Sequence, residues 1–169
     1  PSFVAAESSS PFRMVWPTDY PEISQAFAAN PEIYSKWGLP GHEGLDIRAP
    51  MNTNIYACAD GEVFLINAVP QTHPYGKHIR IRHAGGYQTV YAHLHSVSVR
   101  VGDQVQAGQL IGKADSTGNS TGSHLHLTLK KEGATARRET HFKGDIIDPT
   151  PFLIHPGSVE ALNPERPLT

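Results

Sequence analysis

Residues 123–130 read Ser-His-Leu-His-Leu-Thr-Leu-Lys, and this alternation sets the fold class. In an extended strand, residues i and i+2 share a face. Leu125, Leu127 and Leu129 therefore face a core, and His124, His126 and Thr128 face the other way. Working outward, 78–83 (HIRIRH) alternates as cleanly, and so does 87–95 (YQTVYAHLH). In the latter Val90, Ala92 and Leu94 form the expected core set, so His93 points away from it. Further short runs are 45–49 (LDIRA, stopped by Pro50), 61–66 (GEVFLI), 99–101 (VRV, entering a Gly102-Asp103 turn) and 109–113 (QLIGK). Gly and Pro break the chain every few residues, a β-rich pattern. A helical turn or two is expected at Glu22 to Ala29, limited by Pro21 and Pro31. There is no internal repeat.

With 169 residues, the chain can bury one core of ordinary size. Hydrophobic residues are 38% and charged residues 18%, which places it among globular proteins. No apolar run approaches the roughly 20 residues of a spanning helix. A net charge of −2 without a clustered basic face argues against nucleic acid. Cys58 is the one cysteine, so no intramolecular disulfide forms, and its apolar setting reads as a buried thiol. Residues 1–10 read as a flexible N-terminal segment, 11–153 as the domain, and 154–169 as a proline-bearing tail. The chain opens at Pro1 with no methionine and no export signal in view, which reads as a processed or trimmed start.

The chemistry-bearing residues are histidines. His42-Glu43-Gly44-Leu45-Asp46 is an H-x-x-x-D in a loop running into a strand, and His124-Leu125-His126 is an H-x-H. Gly44 is expected to let the backbone turn so that His42 and Asp46 reach one ion. Zinc suits imidazole and carboxylate ligands, and a catalytic site keeps a fourth position for water. Two neutral histidines and one carboxylate leave the site net positive, which lowers the pKa of bound water toward roughly 7 and polarises a carbonyl. Either signature alone is weak, since packing histidines are common and short motifs match by chance. Spacing also leaves alternatives, because His93 and His95 form a second H-x-H. The helical H-E-x-x-H is absent. No G-x-S-x-G or activated cysteine supports a covalent nucleophile. The glycine-rich 118–122 lacks the Lys-Ser/Thr ending of a phosphate loop.

From Phe12 to Leu153 the chain resembles the lysostaphin-type, or LytM-like, zinc endopeptidases of bacterial cell walls. The resemblance rests on ordered blocks: GHEGLDIRAP, ADGEV, YGKHIRIRHAGGYQTVYAHL, VRVGDQVQAGQLIGKADSTGNSTGSHLHLTL and DPTPFL. It implies a compact antiparallel β-sheet domain with a loop-walled groove over the sheet. It implies zinc held by His42, Asp46 and His126, with His93 and His124 as catalytic histidines; His93 is thereby preferred to His95. Tyr34 is the nearest candidate for a tyrosine that steadies the oxyanion in some members. The implied activity is hydrolysis of peptidoglycan peptides, in the stem or the cross-bridge, by metal-activated water. The implied setting is extracellular, periplasmic or wall-associated.

Two other readings compete. A non-catalytic module of the same fold would bind wall or activate another hydrolase, but all five positions are filled here. A biotinyl or lipoyl carrier would use the VRVGDQVQAGQLIG turn, with its lysine at a hairpin apex. Lys113 follows a strand instead, and that reading leaves the histidines unexplained.

Overall fold

The computed structural model describes residues 11–115 and 123–156. The expected flexible segment 1–10 and residues 157–169 of the expected tail lie outside the described residues. Two antiparallel sheets enclose one core. The large sheet runs β1 (Ile23–Gln25), β2 (Leu45–Arg48), β10 (His124–Lys131), β6 (Tyr87–Ala92), β5 (His78–Arg82), β4 (Gly61–Asn67) and β8 (Gln104–Val105), with β11 (Ile146–Ile147) also on β10. The small sheet runs β3 (Asn54–Tyr56), β9 (Leu110–Ala114) and β7 (Leu94–Val97). The antiparallel β-rich architecture thus agrees with the sequence reading. Lys113 lies inside β9, paired with Asn54 and Ser96, which removes the carrier reading's swinging lysine.

β10 is central because its alternation lets it serve two surfaces. Leu125, Leu127 and Leu129 are buried with Leu45, Ile47, Ile79 and Ile81 against Ile55 and Ile111 of the small sheet. Leu127 is 0% exposed. Leu127→Ala is expected to cost about 2–5 kcal/mol in denaturant unfolding, from lost burial and the cavity left behind. A loss too small to resolve would mean that the two sheets do not depend on this strand. Cys58 is buried, and burial pushes its thiol up to about 12, so it is an inert core group. The packed chain runs on to Ile154, which is buried and donates its N–H to Met14 O at 2.8 Å.

Three expectations need correction. Residues 22–29 are not helical. Ile23–Gln25 add to the sheet edge, with Ile23 opposite Ile47, and an α-helical turn follows only at Pro31–Tyr34. Ala28 and Asn30 have φ of 63° and 57°, which no right-handed helix accommodates. The Ala28 N–H donates to His42 O (2.7 Å), so tertiary pairing overrides local propensity. Val99 to Val101 form no strand; the chain pairs again only at Gln104–Val105.

The third correction concerns β6. Ala92 and Val90 lie opposite His126 and Thr128, so they share the histidine face rather than the core face. Tyr91 takes the core side, its hydroxyl receiving the Cys58 N–H at 2.8 Å and the Thr89 hydroxyl at 2.8 Å. Strict alternation would then send His93 into the core. Instead the strand breaks after Ala92, and His93 takes φ of 59° before Leu94 starts β7 in the other sheet. This reversal returns the imidazole to the histidine face. The sequence reading thus assigned His93 the right side from the wrong register.

Candidate metal centre and groove

His42 is placed by backbone pairing. Its N–H donates to Ala29 O (2.9 Å), its carbonyl accepts from Ala28, and its Nδ1 lies 3.3 Å from Ala26 O. Asp46 on β2 and His126 on β10 face each other directly across the ladder. Gly44 is needed for space rather than for a turn. Its φ is not in the left-handed region, but a Cβ there would stand 2.7 Å from His126 Cε1, His126 Nε2 and Leu127 O. Gly44→Ala is therefore expected to displace the His126 ring and weaken metal binding. Unchanged affinity in chelator competition would show that the ring tolerates the methyl group.

Ligand-type atoms of His42, Asp46 and His126 lie within 4.8 Å of one another, and all three residues are buried. His42 Nε2 is 3.4 Å and His126 Nδ1 is 3.0 Å from the same oxygen, Asp46 Oδ1. Donor atoms at ~2.1 Å around a tetrahedral zinc stand ~3.4 Å apart, so the spacing fits. The tautomers fit as well. The Thr128 hydroxyl donates to Glu43 O (3.3 Å), so at its 3.0 Å contact with His126 it accepts from Nε2–H. In that tautomer His126 Nδ1 is an unprotonated acceptor for an ion. His42 Nδ1–H donates to Ala26 O in the same way, leaving Nε2 free. Two imidazole lone pairs and a carboxylate oxygen thus converge in a buried spot, an arrangement that a cation satisfies. Burial alone would raise the Asp46 carboxyl; the His126 and His42 rings that face its oxygens outweigh it and hold the group well below the usual carboxylate range.

His124 and His93 flank this group. His124 Nε2 is 3.6 Å from Asp46 Oδ2, and its side chain is 42% exposed. The His93 ring centroid is 6.3 Å from that of His124 and 6.0 Å from that of His126. All five residues singled out from the sequence therefore gather at one place. His95 does not; it lies exposed beyond the β6–β7 break. Desolvation, then the His126 and His124 rings, push the His93 imidazole down to about 4. His93 stands at an exposed rim, and with its affinity for a proton lowered the ring stays neutral at neutral pH. In the metal-free protein, its NMR titration midpoint is expected below the ordinary ~6.5 of histidine. A midpoint at or above that value would remove His93 as a permanently neutral group. For folding the sign is unfavourable in acid. The unfolded chain takes up this proton from about 6.5 downward and the folded one only toward about 4, so stability falls across that window.

The floor beyond the cluster is small, made of Ala92, Val90 and Thr128 on one face. Tyr75 covers it. Its ring centroid is 5.5 Å from that of His126, and its hydroxyl donates to Glu43 Oε1 at 3.5 Å. Tyr75 was not foreseen, and a loop tyrosine carries no sequence signal for this role. Thr128 was legible as sharing the face of His126, but its contact with Nε2 was not. Tyr34 lies 5.6 Å from His42 by ring centroids, and its hydroxyl accepts from Gln25 Nε2 at 3.3 Å.

Comparison with known proteins agrees with this geometry. The chain is 40% identical over 118 residues to the DD-carboxypeptidase/endopeptidase Mpg of Neisseria meningitidis serogroup B, covering 69% of this chain and 26% of that protein. It is 39% identical over 93 residues to the peptidoglycan DD-endopeptidase ShyA of Vibrio cholerae, covering 54% and 21%. The chain thus spans about a quarter or less of these curated relatives. Among solved structures, the antimicrobial peptidase lysostaphin from Staphylococcus simulans superposes with a TM-score of 0.64 at 26% identity, over 85% of this chain and 55% of that one. Helicobacter pylori Csd3 gives 0.63 at 27%, over 85% and 33%. Residues 40–138, more than half of the chain and including every residue of the metal cluster, match Peptidase family M23, and the chain belongs to that family.

Proposed function

We propose that this chain is the catalytic domain of a zinc-dependent endopeptidase that hydrolyses peptide bonds in bacterial peptidoglycan outside the cytoplasmic membrane. The observation that carries this reading is the buried convergence of His42, Asp46 and His126, with two further imidazoles beside it over an open sheet face. The relatives named for peptidoglycan endopeptidase activity support the substrate class. Bound zinc supplies Lewis-acid polarisation of a carbonyl and lowers the pKa of a water. The protein's own groups do the rest. Asp46 stays ionised, and the Ala26 and Thr128 contacts fix both imidazoles in their acceptor tautomers. Neutral His93 is available to take a proton, and His124 is placed on the other side to donate a hydrogen bond to developing oxyanion charge. The two roles are also open to exchange between them, as both rings reach the same space.

The filled His93 and His124 positions argue against a non-catalytic module. Purified peptidoglycan sacculi are expected to lose turbidity and release free amino termini with the zinc-loaded protein, and not after chelation. Wall binding without release of termini, at full zinc content, would favour the non-catalytic module instead.

A further inference from the structure

Arg80 and Lys130 form a second polar feature on the face that carries the metal cluster. Arg80 lies opposite Val90, and Val90 lies opposite Thr128, so these three form one row across β5, β6 and β10. Two strand spacings separate Arg80 from Thr128, about 10 Å by backbone. Lys130 follows Thr128 by two residues on β10 and shares its face. Both cations are half-buried, and neither forms an ion pair among the described residues. The neighbouring carboxylates do not compensate them at contact. Glu43 receives the Tyr75 hydroxyl, and Asp145 accepts from the backbone N–H groups of Gly133 and Thr135.

Arg80 is held in place but not saturated. Its Nε donates to His78 Nε2 at 3.3 Å, Nη2 lies 3.5 Å from His73 Nε2, and its guanidinium carbon sits 5.8 Å from the Tyr75 ring centroid. A guanidinium has five N–H donors in a planar fork that matches a carboxylate, so several remain unused. Burial, then the Arg80 charge, holds Lys130 below the usual ammonium range; burial, then Arg80 and Lys130, lowers His73. Like charges are crowded here and are offset by Glu43 and Asp145 only from a distance, so an incoming anion would relieve them further.

We propose that Arg80 and Lys130, framed by His73 and His78, bind a free carboxylate of the peptide substrate, about three extended residues from the bond at the metal cluster. The location of that bond rests on the peptidase reading above; the anion subsite itself does not. It makes this groove selective for acidic peptides.

The test uses one short peptide of glycine and alanine in three versions: an acidic side chain with an amidated C-terminus, a free C-terminal carboxylate with no acidic side chain, and neither. Zinc-loaded protein is titrated with each by calorimetry and by NMR of arginine Nε–H resonances. A carboxylate version is expected to bind roughly ten- to hundredfold tighter than the neutral one and to shift the Arg80 resonance. The version that does so identifies the source of the carboxylate. Arg80→Gln is expected to remove the preference, with unchanged zinc content as the check on folding. Equal affinity for all three versions, or a preference that survives in both Arg80→Gln and Lys130→Gln, would overturn the subsite. Preferential binding without cleavage would retain the subsite and reject the peptidase reading. Cleavage of all three with no preference would do the reverse.

Discussion

His126→Ala is expected to lose nearly all of its zinc on dialysis, whereas the wild type retains close to one equivalent. In the proposed site His126 is at once a ligand, the cross-strand partner of Asp46, and the ring whose Nε2 contacts Thr128. Loss of an outer contact to a metal ligand typically costs 10–100-fold in affinity, and loss of one of three ligands costs more. The variant also leaves Asp46 with only His42 and His124 near its carboxylate. Its pKa is then expected to rise toward the ordinary range. Metal analysis after dialysis, with circular dichroism to follow folding, reads the outcome. Full zinc retention in a folded variant would reject His126 as a ligand.

The second large effect separates holding the metal from using it. His93→Ala and His124→Ala are expected to keep stoichiometric zinc and to lose roughly 10²–10⁴-fold in turnover, the usual size of general acid–base help. The reason is geometric. Neither ring belongs to the cluster of converging ligand atoms, yet both border it, at 6.0 Å from His126 by ring centroids for His93 and 3.6 Å from Asp46 Oδ2 for His124. His95→Ala is the control, since that side chain lies exposed beyond the strand break, and its effect should be small. Near-normal turnover in His93→Ala or His124→Ala would remove that residue from the mechanism. Loss of zinc in either would make it a ligand instead.

These expectations depend on how far the site could be read from residues alone. The His124–His126 signature was legible because it lies on one strand, where alternation alone fixes the facing; His42–Asp46 was legible as a motif in a loop entering a strand, and its place at the site came from the family resemblance. β10 obeys that rule along its length, and its leucines are buried as its pattern requires. β6 does not advertise its facing. Thr89 and Tyr91 are a polar pair buried by satisfying each other, Cys58 and His83, so the apolar-looking Val90 and Ala92 suggested the wrong side. The left-handed backbone at His93 was likewise invisible, because nothing in Tyr-Ala-His-Leu marks a break that the tertiary fold imposes. β1, β3 and β11 are two- or three-residue strands whose existence depends on a neighbour rather than on their own pattern. The Tyr75 cover and the Arg80–Lys130 pair arise from strand register between segments distant in sequence, which spacing along the chain does not encode.

The most direct measurement is digestion of a defined, cross-linked peptidoglycan fragment in ¹⁸O-labelled water, read by mass, with metal-free and zinc-restored protein side by side. The account predicts that only the zinc-restored protein cuts a peptide bond and that one solvent oxygen appears in the newly formed carboxyl group. Cutting by metal-free protein, products broken in the glycan rather than the peptide, or no cutting by protein carrying one zinc per chain would contradict it.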